Sequence, residues 1–495
     1  MIIWLLLLGL FTYLIVQRSV ASITRTPVWV LWLVMMTPAF IWTGWILING
    51  ENERMPPLLL FGPFVACPLL YWLLIQWGRP EKSAATSQAG QSEVSEETRR
   101  TILPPADKRP VLRPIDKEEE AALQNCFPWS VFYLQNVEYR PQALICRGQL
   151  RTSPEVAYKT IQENIQQQFG DRFLVVFQEG LNGKPFFALV PNTIAQAQSQ
   201  SKITRPGWAI GLLVATVFTT TLAGVMIAGV TEEQLQGNIG LLQQGLPYAL
   251  ALMAILGTHE LAHYLAARRY RIRATLPYFI PVPPAAFFPF GTFGAFIQMR
   301  SPVPNRKALF DVGIAGPIAG FLVALPLLIW GLAHSTPTEL SDTSSLLNFT
   351  SFTPTNSLLL TLLSKLALGS QFTADSALRL HPVAVAGCLG LVITALNLMP
   401  VGQLDGGHMV HAMFGQRVGS VIGQVARLLV LALSLKVQEY LLWAILLFFM
   451  PVVDEPALND VSDLDHRRDF IGLMALSLLV LIILPAPPAV TQVLF

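Results

Sequence analysis

Residues 257–264 read G-T-H-E-L-A-H-Y. His259 and His263 are four apart, so on an α-helix they share one face, one turn apart. Two imidazoles so placed can grip one metal ion. Zinc accepts histidine nitrogens, and a catalytic zinc keeps three protein ligands and one open position. Glu260 sits beside the first histidine, within reach of a water whose pKa zinc lowers to about 7. H-E-x-x-H on a helix is the zinc metalloprotease pattern for these reasons. The plain alternative is a pair of core histidines bonded to backbone. The surrounding sequence is apolar, and unpaired polar groups are costly there, which favours the metal.

A third ligand must come from another element. His259 lies nine residues before Arg268, roughly 13 Å below that end of the helix. The apolar stretch 381–400 runs into N-L-M-P-V-G-Q-L-D-G-G-H-M-V-H, residues 397–411, in which Asp405 is the only acid. Pro400, Gly402, Gly406 and Gly407 predict broken backbone there. Within a membrane such backbone must line protein or a wet cavity, and a hydrolase needs water. His408 and His411 compete with Asp405 for the ligand role, or form a second metal pair with it. More simply, they are interfacial histidines. His334, His381 and His466 sit at loop or span edges and look ordinary. A His/His/Asp set suits zinc, one ion per chain, and would also hold iron or cobalt.

The elements that position these residues are mostly membrane helices. The chain has 495 residues, 53% hydrophobic and only 13% charged, about half the charge of a soluble domain. The net charge of +2 comes without a basic stripe, so nucleic acid is not an expected partner. Apolar stretches at about 2–16, 28–48, 57–77, 207–229, 245–269, 309–333, 381–400, 418–435, 438–452 and 470–492 predict about ten spans. The first lacks a basic n-region and a cleavage site and reads as a membrane helix. Leu358 to Leu368 is too short to span and is placed at the interface. Residues 78–120 are polar and read as a flexible linker. Residues 121–206 read as a small α+β domain. It has strands at 143–146, 173–177 and 186–190, a turn at Asn182-Gly183, and a helix started by Ser153-Pro154-Glu155 and ended at Gly170. Its plain role is packing, with a regulatory or substrate-selecting role as the alternative. Cys126 and Cys146 read as two buried thiols rather than a disulfide. Residues 453–495 form a polar loop and a last span.

Arginine and lysine set the orientation. Arg268, Arg269, Arg271 and Arg273 share one side with Arg18, Arg25, Lys202, Arg205, Arg300, Arg306, Lys307, Arg467 and Arg468, by the span count. That side is expected to be cytoplasmic, with the 78–206 segment.

H-E-L-A-H in one span and N-x-x-P-x-x-x-L-D-G in a later one resemble the site-2 protease family of intramembrane zinc metalloproteases, peptidase family M50. P-F-G-T-F-G-A-F-I-Q-M, residues 289–299, resembles the family's Gly-x-x-Gly hairpin that dips into the membrane. The likeness covers about 207–452. The extra N-terminal spans, linker and α+β domain resemble its plastid and cyanobacterial, EGY-like branch. The resemblance implies His259, His263 and Asp405 as metal ligands and Glu260 as general base. Asn397 would position substrate or steady the oxyanion. Gly291 and Gly294 would shape a re-entrant β-hairpin that presents a sheet edge to an unwound substrate. Alternation of Phe293, Ala295, Ile297 and Met299 is consistent with such a strand. The plain readings are a re-entrant turn for 289–299 and a buried amide for Asn397.

The expected activity is hydrolysis of peptide bonds within or near transmembrane helices. Substrates would be membrane proteins in the bilayer, with a site-1-type protease as the candidate for a preceding cut. A cyanobacterial-type plasma or thylakoid membrane is the expected location. The rivals are a scaffold or chaperone with a structural metal, and a metal transporter. A transporter needs polar residues along a path across the bilayer, whereas here they gather near one side.

Overall fold

A computed structural model describes residues 26–49, 117–140, 143–180, 183–192, 206–284, 289–339, 351–373, 376–437 and 439–494, with isolated positions between. Most of the expected spans 2–16 and 57–77, most of the 78–120 linker and Asn182 lie outside the described residues. The chain forms two compact units, residues 1–107 and 108–495. In the first, α1 (Val28–Asn49) is a continuous apolar helix with Pro38 inside it.

In the second unit the α+β domain comes first. Its helices are α2 (Lys117–Asn125) and α3 (Pro154–Phe169). Its antiparallel sheet, ordered β1-β2-β4-β3, is built from Phe132–Arg140, Ala143–Leu150, Phe173–Glu179 and Pro185–Pro191. Three strands fall where the apolar runs 143–146, 173–177 and 186–190 placed them. The first was not anticipated, because a bulge between Leu134 and Asn136 breaks its alternation. Ser153 stands at the N-cap of α3, but its side chain makes no capping bond; Pro154 and Glu155 start the helix and Gly170 ends it at φ 59°. Cys126 and Cys146 are free, buried thiols. Burial, then the neighbouring Cys126, push the Cys146 thiol up to about 12.

The apolar helices follow: α4 (Pro206–Ile227), α5 (Leu246–Arg269), α6 (Arg306–Ala333), α7 (Leu358–Leu368), α8 (Pro382–Leu398), α9 (Asp405–Ser434), α10 (Tyr440–Phe449) and α11 (His466–Ile483). Among the described residues, five helical segments are long and apolar enough to cross a membrane: 28–45, 206–227, 239–269, 306–333 and 405–434. A helix satisfies most of its own backbone, which an apolar medium demands. Glycines bring α6 and α8 close: a Cβ on Gly387 would lie 2.7 Å from Leu328, and one on Gly331 2.3 Å from Ala384.

The chain departs from the expected spans in three places. Gly406 and Gly407 do not break the helix but stand in the first turn of α9, which runs from Asp405 to a kink at Gly415 and on to Ser434. Glycine is needed there for contact: a Cβ at 406 or 407 would lie 2.1 Å from the carbonyl of Leu398 or Gly402. The 438–452 stretch forms only the ten-residue α10, about 15 Å of helix against a hydrocarbon core of about 30 Å. The 470–492 stretch ends as a helix at Ile483, ahead of Pro485 and Pro487, and a separate short helix follows at Pro488–Leu494. The eleven-residue α7 is as short as expected.

Two small two-stranded sheets complete the unit. Strand β5 (Tyr278–Pro281) pairs with β6 (Thr292–Phe296), and β7 (Thr336–Glu339) pairs with β8 (Ser376–Arg379).

Candidate active site

Helix α5 carries the H-E-L-A-H turn. Its histidines face Asp405 at the start of α9, with α6 packed against their rings. Gly316 and Gly320 on α6 are spaced four apart, matching the spacing of the histidines. A Cβ on Gly316 would lie 2.1 Å from His263 Nε2, and one on Gly320 3.1 Å from His259 Nδ1. Two missing side chains on α6 therefore make room for the two imidazoles.

The ring nitrogens converge with one carboxylate. His259 Nε2 lies 3.1 Å from His263 Nε2. Asp405 Oδ2 lies 3.7 Å from His259 Nε2 and 3.2 Å from His263 Nε2. His263 Nδ1 stands 2.7 Å from the Val312 carbonyl on α6. A carbonyl only accepts, so Nδ1 carries the proton and Nε2 presents its lone pair to the centre. Both histidines are buried.

This donor set fits a metal ion. A tetrahedral zinc with bonds of about 2.0 Å holds its ligand atoms roughly 3.3 Å apart, close to the three separations here. Among the described residues, His259, His263 and Asp405 form the one His/Cys/Asp/Glu group of three or more whose ligand atoms lie this close. The α9 start thus puts Asp405 where the sequence placed it, although on a helix rather than in a loop.

Glu260 is buried beside the group, and the backbone amide of Ile297, just past β6, faces its carboxylate. The amide end of Asn397, at the end of α8, lies 3.1 Å from His259 Nε2. Gly291 and Gly294 both take positive φ, 79° and 103°. A Cβ on Gly291 would lie 2.6 Å from the Thr219 carbonyl, so glycine there lets the hairpin seat on α4. Thr219 donates to the Gly291 carbonyl at 2.7 Å, and Tyr248 donates to that of Phe290 at 3.0 Å. The strand is shorter than the expected 291–299: β6 ends at Phe296, and Met299 makes only an isolated bridge to Ala274.

His408 and His411 do not join the group. His411 Nδ1 lies 2.8 Å from Asp454 Oδ2, and its Nε2 lies 3.0 Å from Asp460 Oδ1. His408 Nδ1 is 2.8 Å from Asp454 Oδ1 but without hydrogen-bond geometry. His334 stacks on Trp330, His381 caps α8 and His466 opens α11. Sequence reasoning missed Gly316, Gly320, Asp454 and Asp460. The stretch G-I-A-G-P-I-A-G, residues 313–320, holds the signal for the glycines, since small residues four apart mark a close helix approach.

Residues 247–436 match peptidase family M50, and residues 121–199 match the EGY3 middle domain. A rice (Oryza sativa subsp. indica) protein named as probable zinc metalloprotease EGY2, chloroplastic, is 31% identical over 369 residues, 73% of this chain and 65% of the relative. The Arabidopsis thaliana EGY2 protein is 28% identical over 375 residues, 74% and 64% of the two chains. Arabidopsis EGY1 is 34% identical over 241 residues, 48% and 43%. The chain therefore spans less than two thirds of the length of these curated relatives. No solved structure matches. The motif helix, the L-D-G turn and the middle domain all point one way: residues 247–436 form a peptidase family M50 domain, and the chain around it is similar to the EGY-like zinc metalloproteases.

Proposed function

We propose that this protein is an intramembrane zinc metalloprotease that cuts peptide bonds within or near transmembrane helices of other membrane proteins. The observation that carries the reading is the buried convergence of His259, His263 and Asp405 beside Glu260. The two histidines and Asp405 hold the zinc. When bound, zinc supplies Lewis acidity and makes water a better nucleophile at neutral pH. Glu260 accepts a proton from the attacking water and delivers it to the amide nitrogen of the leaving segment. The Ile297 amide orients the Glu260 carboxylate. Asn397, its amide end already at the focus of the site, positions the scissile group.

A helical substrate hides its carbonyls in its own hydrogen bonds and must unwind first. Among the described residues β6 pairs with β5 alone. Its other edge offers backbone groups to an extended peptide, as strand addition requires. Gly291 and Gly294 give the hairpin its shape. The arginine and lysine distribution supports an orientation with the 121–206 domain on the cytoplasmic side. In that case substrates reach the site through the bilayer, with a site-1-type protease as the candidate for a preceding cut.

The test compares protein N-termini in native membranes carrying the wild type or Glu260→Gln at equal abundance. Loss of a general base costs about 10²- to 10⁴-fold. New termini inside or beside membrane helices should appear only with the wild type. Equal termini in both samples, with zinc bound in both, would overturn the reading.

A further inference from the structure

The loop between α10 and α11 reaches both halves of the second unit. We infer that residues 450–462 form a brace that sets the position of Asp405, and that the α+β domain controls this brace by docking on it. His411 and Asp454 are then positioning residues. The inference rests on the reading of His259, His263 and Asp405 as zinc ligands, but not on turnover.

On the membrane side the brace holds the two helices that make the site. His411, 1% exposed, stands on α9 six residues after Asp405. Its two nitrogens face Asp454 and Asp460. Asp460 Oδ1 also accepts from Arg306 Nε at 3.3 Å. Arg306 opens α6, the helix that supplies the Val312 carbonyl and the glycines behind the histidines. One carboxylate thus pins the start of α6 to α9. The start of the brace touches the turn before Asp405. Buried Arg427 donates to the carbonyls of Met450 and Pro451 at 2.8 and 3.0 Å. The Pro451 carbonyl lies against Gly402, where a Cβ would come within 1.9 Å and φ is 51°.

On the other side the same brace completes the α+β domain. Phe177 of β3 donates to the Leu458 carbonyl at 2.7 Å, and Asp460 donates back to the Phe177 carbonyl at 2.9 Å. Leu458 and Asn459 donate to the carbonyls of Val303 and Pro304 at 2.9 and 3.0 Å. Residues 458–460 therefore lie as a short strand between β3 and the lead into α6. Val461 belongs to the hydrophobic core of the α+β domain, with Phe132, Phe177 and Phe187. Neighbouring residues thus grip different bodies: Val461 the domain core, Asp460 the catalytic helix. The rest of this junction is polar. Lys307 pairs with exposed Glu155 at 2.6 Å, and a cavity of about 230 Å³ lies beside them, lined by Tyr158, Lys159 and Ser462 among others. Such a contact can loosen while each body stays folded.

Coupling of this kind is reciprocal. Zinc must tighten the docking by the same factor that docking tightens zinc. The test uses purified full-length protein, zinc alone as the probe, chelator competition for affinity, and hydrogen exchange for docking. In the wild type, zinc should slow exchange at the amides of Phe177 and Asp460. His411→Gln, which can hold only one of the two carboxylates, should weaken zinc about 10- to 100-fold, as loss of a supporting partner does. It should also make exchange at Phe177 and Asp460 independent of zinc. Val461→Asp, a change in the core of the α+β domain, should weaken zinc several-fold, and Val461→Ile should keep wild-type affinity. If His411→Gln does not fold, the Val461 pair and the wild-type exchange still decide the matter. Zinc affinity within twofold of wild type in Val461→Asp, or exchange at Phe177 and Asp460 that ignores zinc, overturns the brace and leaves the site reading intact. A wild type that binds no zinc overturns both.

Discussion

Two histidine pairs lie close together in this molecule, at nearly the same spacing, and they differ in kind. His259 and His263 are four apart on α5; His408 and His411 are three apart on α9. In the first pair a carbonyl takes the Nδ1 proton of His263, so the remaining lone pair turns inward beside one carboxylate. In the second, His411 is held between two carboxylates from a loop. The groups behind a histidine decide whether it serves as ligand or strut. A backbone carbonyl behind the ring frees a lone pair, and carboxylates on both sides use it up. Asp454 carries the mark of this. Burial alone would raise its carboxyl, but the two histidines outweigh burial and hold it below the usual carboxylate range.

The sharpest way to break the comparison is to remove a member of the first pair. Zinc sites yield about 10–16 kcal/mol over four ligands, so losing one costs roughly 10²- to 10³-fold in affinity. His263→Ala should fall in that range when zinc is titrated against a chelator. An affinity within tenfold of wild type would remove His263 from the ligand set. A smaller effect is expected from the surface behind the ring. Gly316→Ala places a methyl where the imidazole of His263 stands. It should weaken zinc about 10- to 100-fold and cost about 1–3 kcal/mol of stability from overpacking. Unchanged zinc affinity in this variant would mean that the ring has another place to go.

The smallest effect concerns the struts. A carboxyl whose native pKa lies below its unfolded value of about 4 stabilises the fold at higher pH. Asp454 therefore contributes fully above about pH 4, and the contribution fades as acid protonates the native group below that. The melting temperature of the wild type should fall below pH 4 more steeply than that of Asp454→Asn. Parallel acid limbs would show that the Asp454 contacts carry no net stability.

The same contrast explains what the sequence revealed. The first pair and its acid were legible because metal chemistry demands certain residue types at helical spacing, and few alternatives survive inside an apolar helix. Asp405 was found as the only acid in its stretch, though its helical setting was not, since glycine reads as a breaker unless the backbone it must approach is known. The partners of His411 were not legible. Asp454 and Asp460 lie in a polar loop on the far side of another helix, and no local pattern ties them to α9. Gly316 and Gly320 were in view but ambiguous, because small residues serve any close helix contact. In the α+β domain β2, β3 and β4 showed as apolar runs, while the bulge in β1 breaks up its pattern.

Val461 has a consequence for how this protein can be taken apart. A residue from the loop after α10 finishes the core of a domain whose own strands end at Pro191. The α+β domain thus cannot be cut out cleanly at the bounds of its own sequence, although its contact with the rest can loosen. Made alone it would carry a hole where Val461 belongs, and a chain shorn of it would leave an apolar side chain stranded in water. A chimera that exchanges this domain with that of a relative must exchange residues 458–461 with it.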